Sequence, residues 1–261
     1  MSPSDQLHQQ LSTLLDQENW PQLAIACRAA LIEAPTDPEV HFLLGNALAA
    51  SGSPTEALIA LQTACDLVRD NREYRLALAD CFLELEQADQ ALVNYQSILE
   101  IDPFDQDALV SAALVLANNG NDTEADALLK RARERYPDEP FVLNACGEQL
   151  VAHGQYQEAQ ACFEKAIEAD PQDPTAYERL ATLYYDLDEA EEAEAVLLEG
   201  CEHAEDLTEG HLTLGQIYLE QERIPDAIRH FERFLAAEID PAAEDLRQDV
   251  RAILEDLKKE H

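Results

Sequence analysis

The chain has 261 residues and sets 54 Asp and Glu against 17 Lys and Arg, a formal net charge of −37. Such a surface repels phosphate backbones, which excludes nucleic-acid binding by counterion release, and it disfavours anionic membrane surfaces. A hydrophobic content of 46%, rich in alanine, suffices for a continuous core, and 8 glycines without a Gly/Ser-rich linker leave no obvious break.

From the N-terminus, Met1 to Asp16 is polar and acidic. No secretory signal, lipobox or membrane-spanning run is visible anywhere, so a cytoplasmic location and no direct membrane insertion are expected. The stretch Ser4 to Asp37 reads as a worn helical hairpin: Gln10 stands where a core leucine belongs, and Trp20-Pro21 marks the turn. The pattern then becomes regular. Between Pro140 and Asp173, apolar or small residues at Leu143, Cys146, Gly147 and Leu150 share one helical face. Gly154 closes that helix, and a second helix with Ala159, Phe163 and Ala166 on one face ends at Asp170-Pro171.

Shifting by thirty-four residues recovers the same pattern. The small residue of the first helix recurs as Gly45, Ala79, Ala113, Gly147, Ala181 and Gly215. The alanine of the second helix recurs at 57, 91, 125, 159, 193 and 227, and the large residue four further on as Leu61, Tyr95, Leu129, Phe163, Leu197 and Phe231. Residues 1–241 thus hold seven units (4–37, 38–71, 72–105, 106–139, 140–173, 174–207, 208–241). The sixth lacks both the turn glycine and the closing proline, which predicts a looser junction with the seventh. Within the fourth, Lys130 to Arg135 forms a basic island expected to pair with carboxylates or with a second copy. Residues 242–261 read as a capping helix whose Leu246, Val250, Ile253, Leu254 and Leu257 cover the last unit.

Chemistry is not signalled. Cys27, Cys65, Cys81, Cys146, Cys162 and Cys201 form no CxxC pair and read as core thiols. The histidines share no locus, and no GxSxG, HExxH, P-loop or GxGxxG run occurs. The expectation is a non-enzyme without cofactor or metal.

With its small and aromatic positions in register, the period resembles the tetratricopeptide repeat over nearly the whole chain. The resemblance implies an all-α, right-handed superhelical solenoid of tandem helix-turn-helix repeats, whose first helices line a concave groove that takes a peptide or a partner helix. The positions it assigns to that groove include Phe42, Asn46, Leu76, Asp80, Val110 and Leu114, then Phe141, Asn144, Glu148, Glu178, Tyr185 and Gln216. The lysines with which some members grip a C-terminal carboxylate are missing here. The implied partner is a protein or peptide with apolar and basic residues, held on an apolar ladder of Phe42, Leu76 and Val110 edged by acids. The alternative is a scaffold whose repeats stack into homo-oligomers.

Overall fold

The structure is a computed structural model that describes residues 11–204, 206–238 and 243–260; the reading on Gln10 and the boundary set between residues 241 and 242 lie outside them. Every regular element among the described residues is helical. After α1 (residues 11–16) come α2 (Trp20–Glu33), α3 (Pro38–Ala50), α4 (Pro54–Leu67), α5 (Arg72–Glu84), α6 (Ala88–Ile101), α7 (Gln106–Asn118) and α8 (Asp122–Arg135). They are followed by α9 (Pro140–Ala152), α10 (Tyr156–Ala169), α11 (Pro174–Asp186), α12 (Ala190–His203), α13 (Thr208–Glu220), α14 (Ile224–Ala237) and α15 (Glu244–Glu260). Contacts divide the chain into two compact units, residues 1–132 and 133–261, a division that composition does not mark. In the first, each of α2 to α6 packs on its successor; in the second, α9 to α15 pack in order, and α11 also touches α9 and α13.

Small residues set how closely the helices of a hairpin approach. A Cβ added at Gly45 would meet the Leu61 side chain at 2.5 Å, and one at Gly215 the Phe231 ring at 2.5 Å; at Gly147 it would collide with the Phe163 ring. Phe163, Tyr95, Leu61 and Phe231 are each no more than 1% exposed. A buried side chain of this size contributes roughly 1.5–3 kcal/mol, so the small residue stabilises the fold by admitting its large neighbour.

The hairpin turns are equally periodic. Glu18, Gly52, Glu86, Gly120, Gly154, Asp188 and Glu222 all have positive φ and stand thirty-four residues apart. Each turn is closed by a 6→1 backbone bond, as in Ser53 N–H to Leu48 O (2.9 Å), Gln87 to Phe82 (2.8 Å) and Glu189 to Tyr184 (2.9 Å). This is the Schellman arrangement, which satisfies carbonyls that the helix end leaves free. Asp188 takes the left-handed position that the sixth unit's missing glycine would have filled.

Four first helices, α3, α5, α7 and α11, start on side-chain caps one residue ahead of them. The carboxylate or amide of Asp37, Asn71, Asp105 and Asp173 accepts an N–H of the following turn, at 2.9–3.1 Å for the shortest bond of each. Asp105 also binds the guanidinium of Arg72, which ties α5 to α7. The equivalent position before α13 is Leu207, which has no capping atom and is 4% exposed. Its side chain instead fills the space left by Gly200 and Gly210. The Glu178 carboxylate reaches across from α11 and accepts the Gly210 N–H at 2.9 Å. The junction expected to be loose is therefore closed by a leucine plug and a cap borrowed from α11. At the far end Val250 and Leu254 of α15 are buried in one cluster with Phe231 and Phe234 of α14.

Candidate functional site

The residues assigned to the groove lie on first helices, and the two units use them differently. In residues 1–132 the rings of Phe42 and Tyr74 stack at 4.8 Å, which fixes Phe42 against α5. Asn46, Leu76 and Leu114 are half-buried and Asp80 is exposed, with Asp80 accepting a 3.3 Å bond from the Tyr95 hydroxyl. Val110 corrects the expected ladder: it is 0% exposed, in a run with the equally buried Ala108 and Leu109, and presents nothing to a ligand. Its side chain is one carbon shorter than that of Leu76 and stays within the packing.

In residues 133–261 most assigned polar groups hold neighbouring first helices together. Glu148 pairs with Arg179 at 2.7 Å, linking α9 to α11. Tyr185 donates to Glu220 at 2.6 Å and Glu178 caps α13, linking α11 to α13. Asn144 is 5% exposed and Phe141 and Gln216 are exposed, so Asn144 is a second correction to the expected contact set.

One concave feature of this unit is a recess of about 440 Å³ between α11, α13 and the start of α15. Leu212, Phe234 and Leu246 supply its apolar wall, and Glu178, Glu209 and Glu238 its rim. An adjoining hollow of about 380 Å³ shares those three carboxylates and adds Asp206. Burial first, and then the charge of Glu209, push the Glu178 carboxyl up to about 7, against the lowering effect of its N–H donors and Arg179. Near neutral pH Glu178 is therefore part-protonated. Sequence reasoning found Glu178 by repeat position but missed Leu246, which it read as part of the cap, and Glu209 and Glu238. The missing capping atom at position 207 was the signal that Glu178 would be recruited.

Elsewhere the described side chains offer little chemistry. Burial pushes the Cys27, Cys65, Cys81 and Cys146 thiols up to about 11, which makes them poor nucleophiles. Arg131 of the basic island donates to the Pro103 carbonyl at 2.5 Å rather than to a carboxylate. Among the described residues no group of three His, Cys, Asp or Glu is placed to hold a metal ion, and no helix is long and apolar enough to cross a membrane.

This repeated hairpin, with a small residue paired to a leucine or an aromatic ring at the crossing, defines a class of helical repeat proteins. Two family models described as tetratricopeptide repeat match, one over residues 82–146 and 150–209 and the other over 9–72 and 212–247. The chain belongs to the tetratricopeptide repeat family. It is 27% identical over 220 residues to the human protein O-mannosyl-transferase TMTC3, covering 82% of this chain and 24% of that protein. It is 38% identical over 102 residues to the Arabidopsis thaliana TPR repeat-containing thioredoxin TTL4, covering 39% and 15%. The chain thus spans a quarter or less of the curated relatives it matches. A tetratricopeptide repeat protein from Parabacteroides merdae superposes with a TM-score of 0.77 at 20% identity, over 97% of this chain and 98% of that one. Yeast Tom70 gives 0.69 at 17% identity, over 93% and 59%, and the Cut9–Hcn1 hetero-tetramer of the APC/C gives 0.66 at 17%, over 92% and 48%. At these identities the likeness is one of fold.

Proposed function

We propose that the chain is a non-catalytic interaction module that binds a segment of a partner protein carrying both apolar and basic residues. The tetratricopeptide fold supports a role in protein interaction or scaffolding in general. What carries the finer reading is the recess of residues 133–261, where Leu212, Phe234 and Leu246 stand beside Glu178, Glu209 and Glu238. A Lys or Arg entering there pairs with the rim while its neighbour's apolar side chain covers Leu246, which is 42% exposed. The cation also draws the Glu178 proton off, so binding strengthens as pH rises through about 7. Phe42, Leu76 and Asp80 offer the same mixture of apolar and acidic groups on the first helices of residues 1–132.

Fluorescence anisotropy with a labelled Leu/Lys peptide and a Leu/Glu peptide of equal length tests this. The Leu/Lys peptide should bind, and Glu209→Lys should weaken it by about 10-fold through lost pairing and added repulsion. Leu212→Ala should weaken it less. Glu168→Lys, on an exposed face of α10, should change affinity little. A loss on Glu168→Lys equal to that on Glu209→Lys would reduce the binding to general charge attraction and sink the reading.

A further inference from the structure

The second helices of residues 1–132 present an exposed aliphatic ladder. Ile25, Ile59 and Val93 occupy the same repeat position on α2, α4 and α6 and are 58%, 67% and 64% exposed. Ile32, one helical face on from Ile25, is 79% exposed. The equivalent positions of α10, α12 and α14 hold Ala161, Ala195 and Arg229. Around the ladder the exposed positions are largely uncharged, with Gln62, Gln90 and Gln96 beside it, in a chain of net charge −37.

The same unit also carries a matching hollow. Between α6 and α8, over α7, lies a groove of about 530 Å³ walled by Leu92, Leu99, Leu116 and Leu128 and edged by Glu100 and Glu124. Arg131 also lines it, but its guanidinium is spent on the Pro103 carbonyl. Charge matches as well as shape. Arg28 lies between Ile25 and Ile32 on the exposed face of α2 and is the one base in α2, α4 and α6. Its bond to Glu56 at 2.6 Å is solvent-exposed on both sides, so exchanging it for another carboxylate costs little.

We propose that the occupant of this groove is a second copy of the chain, docked about a two-fold axis so that α2 of each copy lies in the α6–α8 groove of the other. Ile25 and Ile32 enter between the leucines, Arg28 meets Glu100 and Glu124, and Ile59 faces its counterpart near the axis. A two-fold contact needs one patch that carries both the knob and its hole, and residues 1–132 carry both. Two chains this acidic repel over most faces, so contact is favoured where carboxylates are sparse. This side-by-side contact differs from end-to-end stacking of repeats and is independent of the peptide recess.

Sedimentation velocity on the full chain, over rising protein and sodium chloride concentrations, tests the proposal. Self-association in the micromolar range is expected, stronger at moderate salt because screening over about 8–10 Å weakens the overall repulsion. Ile25→Glu with Ile59→Glu should abolish it. Arg28→Glu alone and Glu100→Arg with Glu124→Arg should each weaken it about 10-fold, and the three together should restore it, because the pairing is recreated with its signs exchanged. These positions are exposed, and unchanged circular dichroism and melting confirm that each variant folds. A parent that stays monomeric at every concentration and salt overturns the proposal. So does association that survives the two Ile→Glu changes, or a charge exchange that fails to rescue.

Discussion

Residues 1–132 and residues 133–261 are built on one frame and finished differently. The positions that set helix approach are filled alike in both: Gly45 over Leu61 in one, Gly147 over Phe163 and Gly215 over Phe231 in the other. The position that faces solvent on the second helices diverges, with Ile25, Ile59 and Val93 in the first unit against Ala161, Ala195 and Arg229 in the second. Polar groups diverge too. The second unit buries His230 and half-buries Glu178 and His211, and it links first helices through Glu148, Tyr185 and Glu178 where the first unit uses Arg72 with Asp105. The difference separates two kinds of constraint. Volume at a helix crossing tolerates few residues, whereas the outer face is free to specialise.

The largest expected effect tests the shared frame. Gly147→Leu should destabilise the α9–α10 hairpin by about 3 kcal/mol, the upper end for overpacking, because the Phe163 ring has no room to withdraw. Gly45→Leu should cost less, since Leu61 can change rotamer. Gln157→Leu, exposed on α10, should be near neutral. Urea midpoints order the three. Equal losses at 147 and 157 would break the claim that crossings, not surface, control this hairpin.

A second prediction sharpens the contrast in titration. The His230 imidazole is 2% exposed, packed on the rings of His211 at 5.2 Å and Tyr218 at 5.4 Å. Burial, then His211, Arg229 and Arg233, lower its pKa to about 4, with Asp226 opposing. A histidine lowered in the folded state binds protons first when unfolded, so stability falls as pH drops from 6.5 towards 4. Glu178 works in the other direction: its raised pKa makes stability rise as pH falls from about 7 to 4.5. Amide exchange resolves the two. Protection in α14 should fall by on the order of 2 kcal/mol between pH 7 and 4.5, with little parallel loss in α4. His230→Phe should flatten the α14 profile. A profile unchanged by that substitution would assign the acid response to something other than the buried ring.

Much of the frame was legible because excluded volume at a close crossing admits few residue types, so Gly147 and Ala159 repeat visibly along the chain. The turn was legible at Gly154 and illegible at Glu86 and Glu222, because a charged residue held at positive φ leaves no compositional mark. The site was less legible. Repeat position assigned Phe42, Leu76, Val110 and Asn144 alike, yet the first two are half-buried and the last two buried, because exposure depends on what neighbouring helices reach. The role of Glu178 depended on a residue twenty-nine positions later, where Leu207 replaces a capping Asp or Asn. The division at residue 132 falls within α8, and periodicity carries no record of how strongly successive repeats adhere.

The smallest expected effect concerns those turns and runs through both units. Glu86 (φ 57°) in the first and Glu222 (φ 57°) in the second occupy the left-handed position that Gly52 (φ 72°) and Gly154 (φ 71°) fill elsewhere. A side chain there brings its Cβ against the following carbonyl, at a cost of about 1–2 kcal/mol. Glycine relieves that cost but adds freedom to the unfolded chain, which returns part of the gain. Glu86→Gly and Glu222→Gly should therefore each stabilise their own hairpin by about 0.5–1 kcal/mol, and Gly52→Ala should destabilise its own by about 1 kcal/mol. Because repeats respond to their nearest neighbours, the change should appear in amide protection of the flanking helices before it moves the whole transition. A Glu86→Gly variant with weaker protection in α5 and α6 would mean that the Glu86 side chain contributes more to the turn than its backbone strain removes.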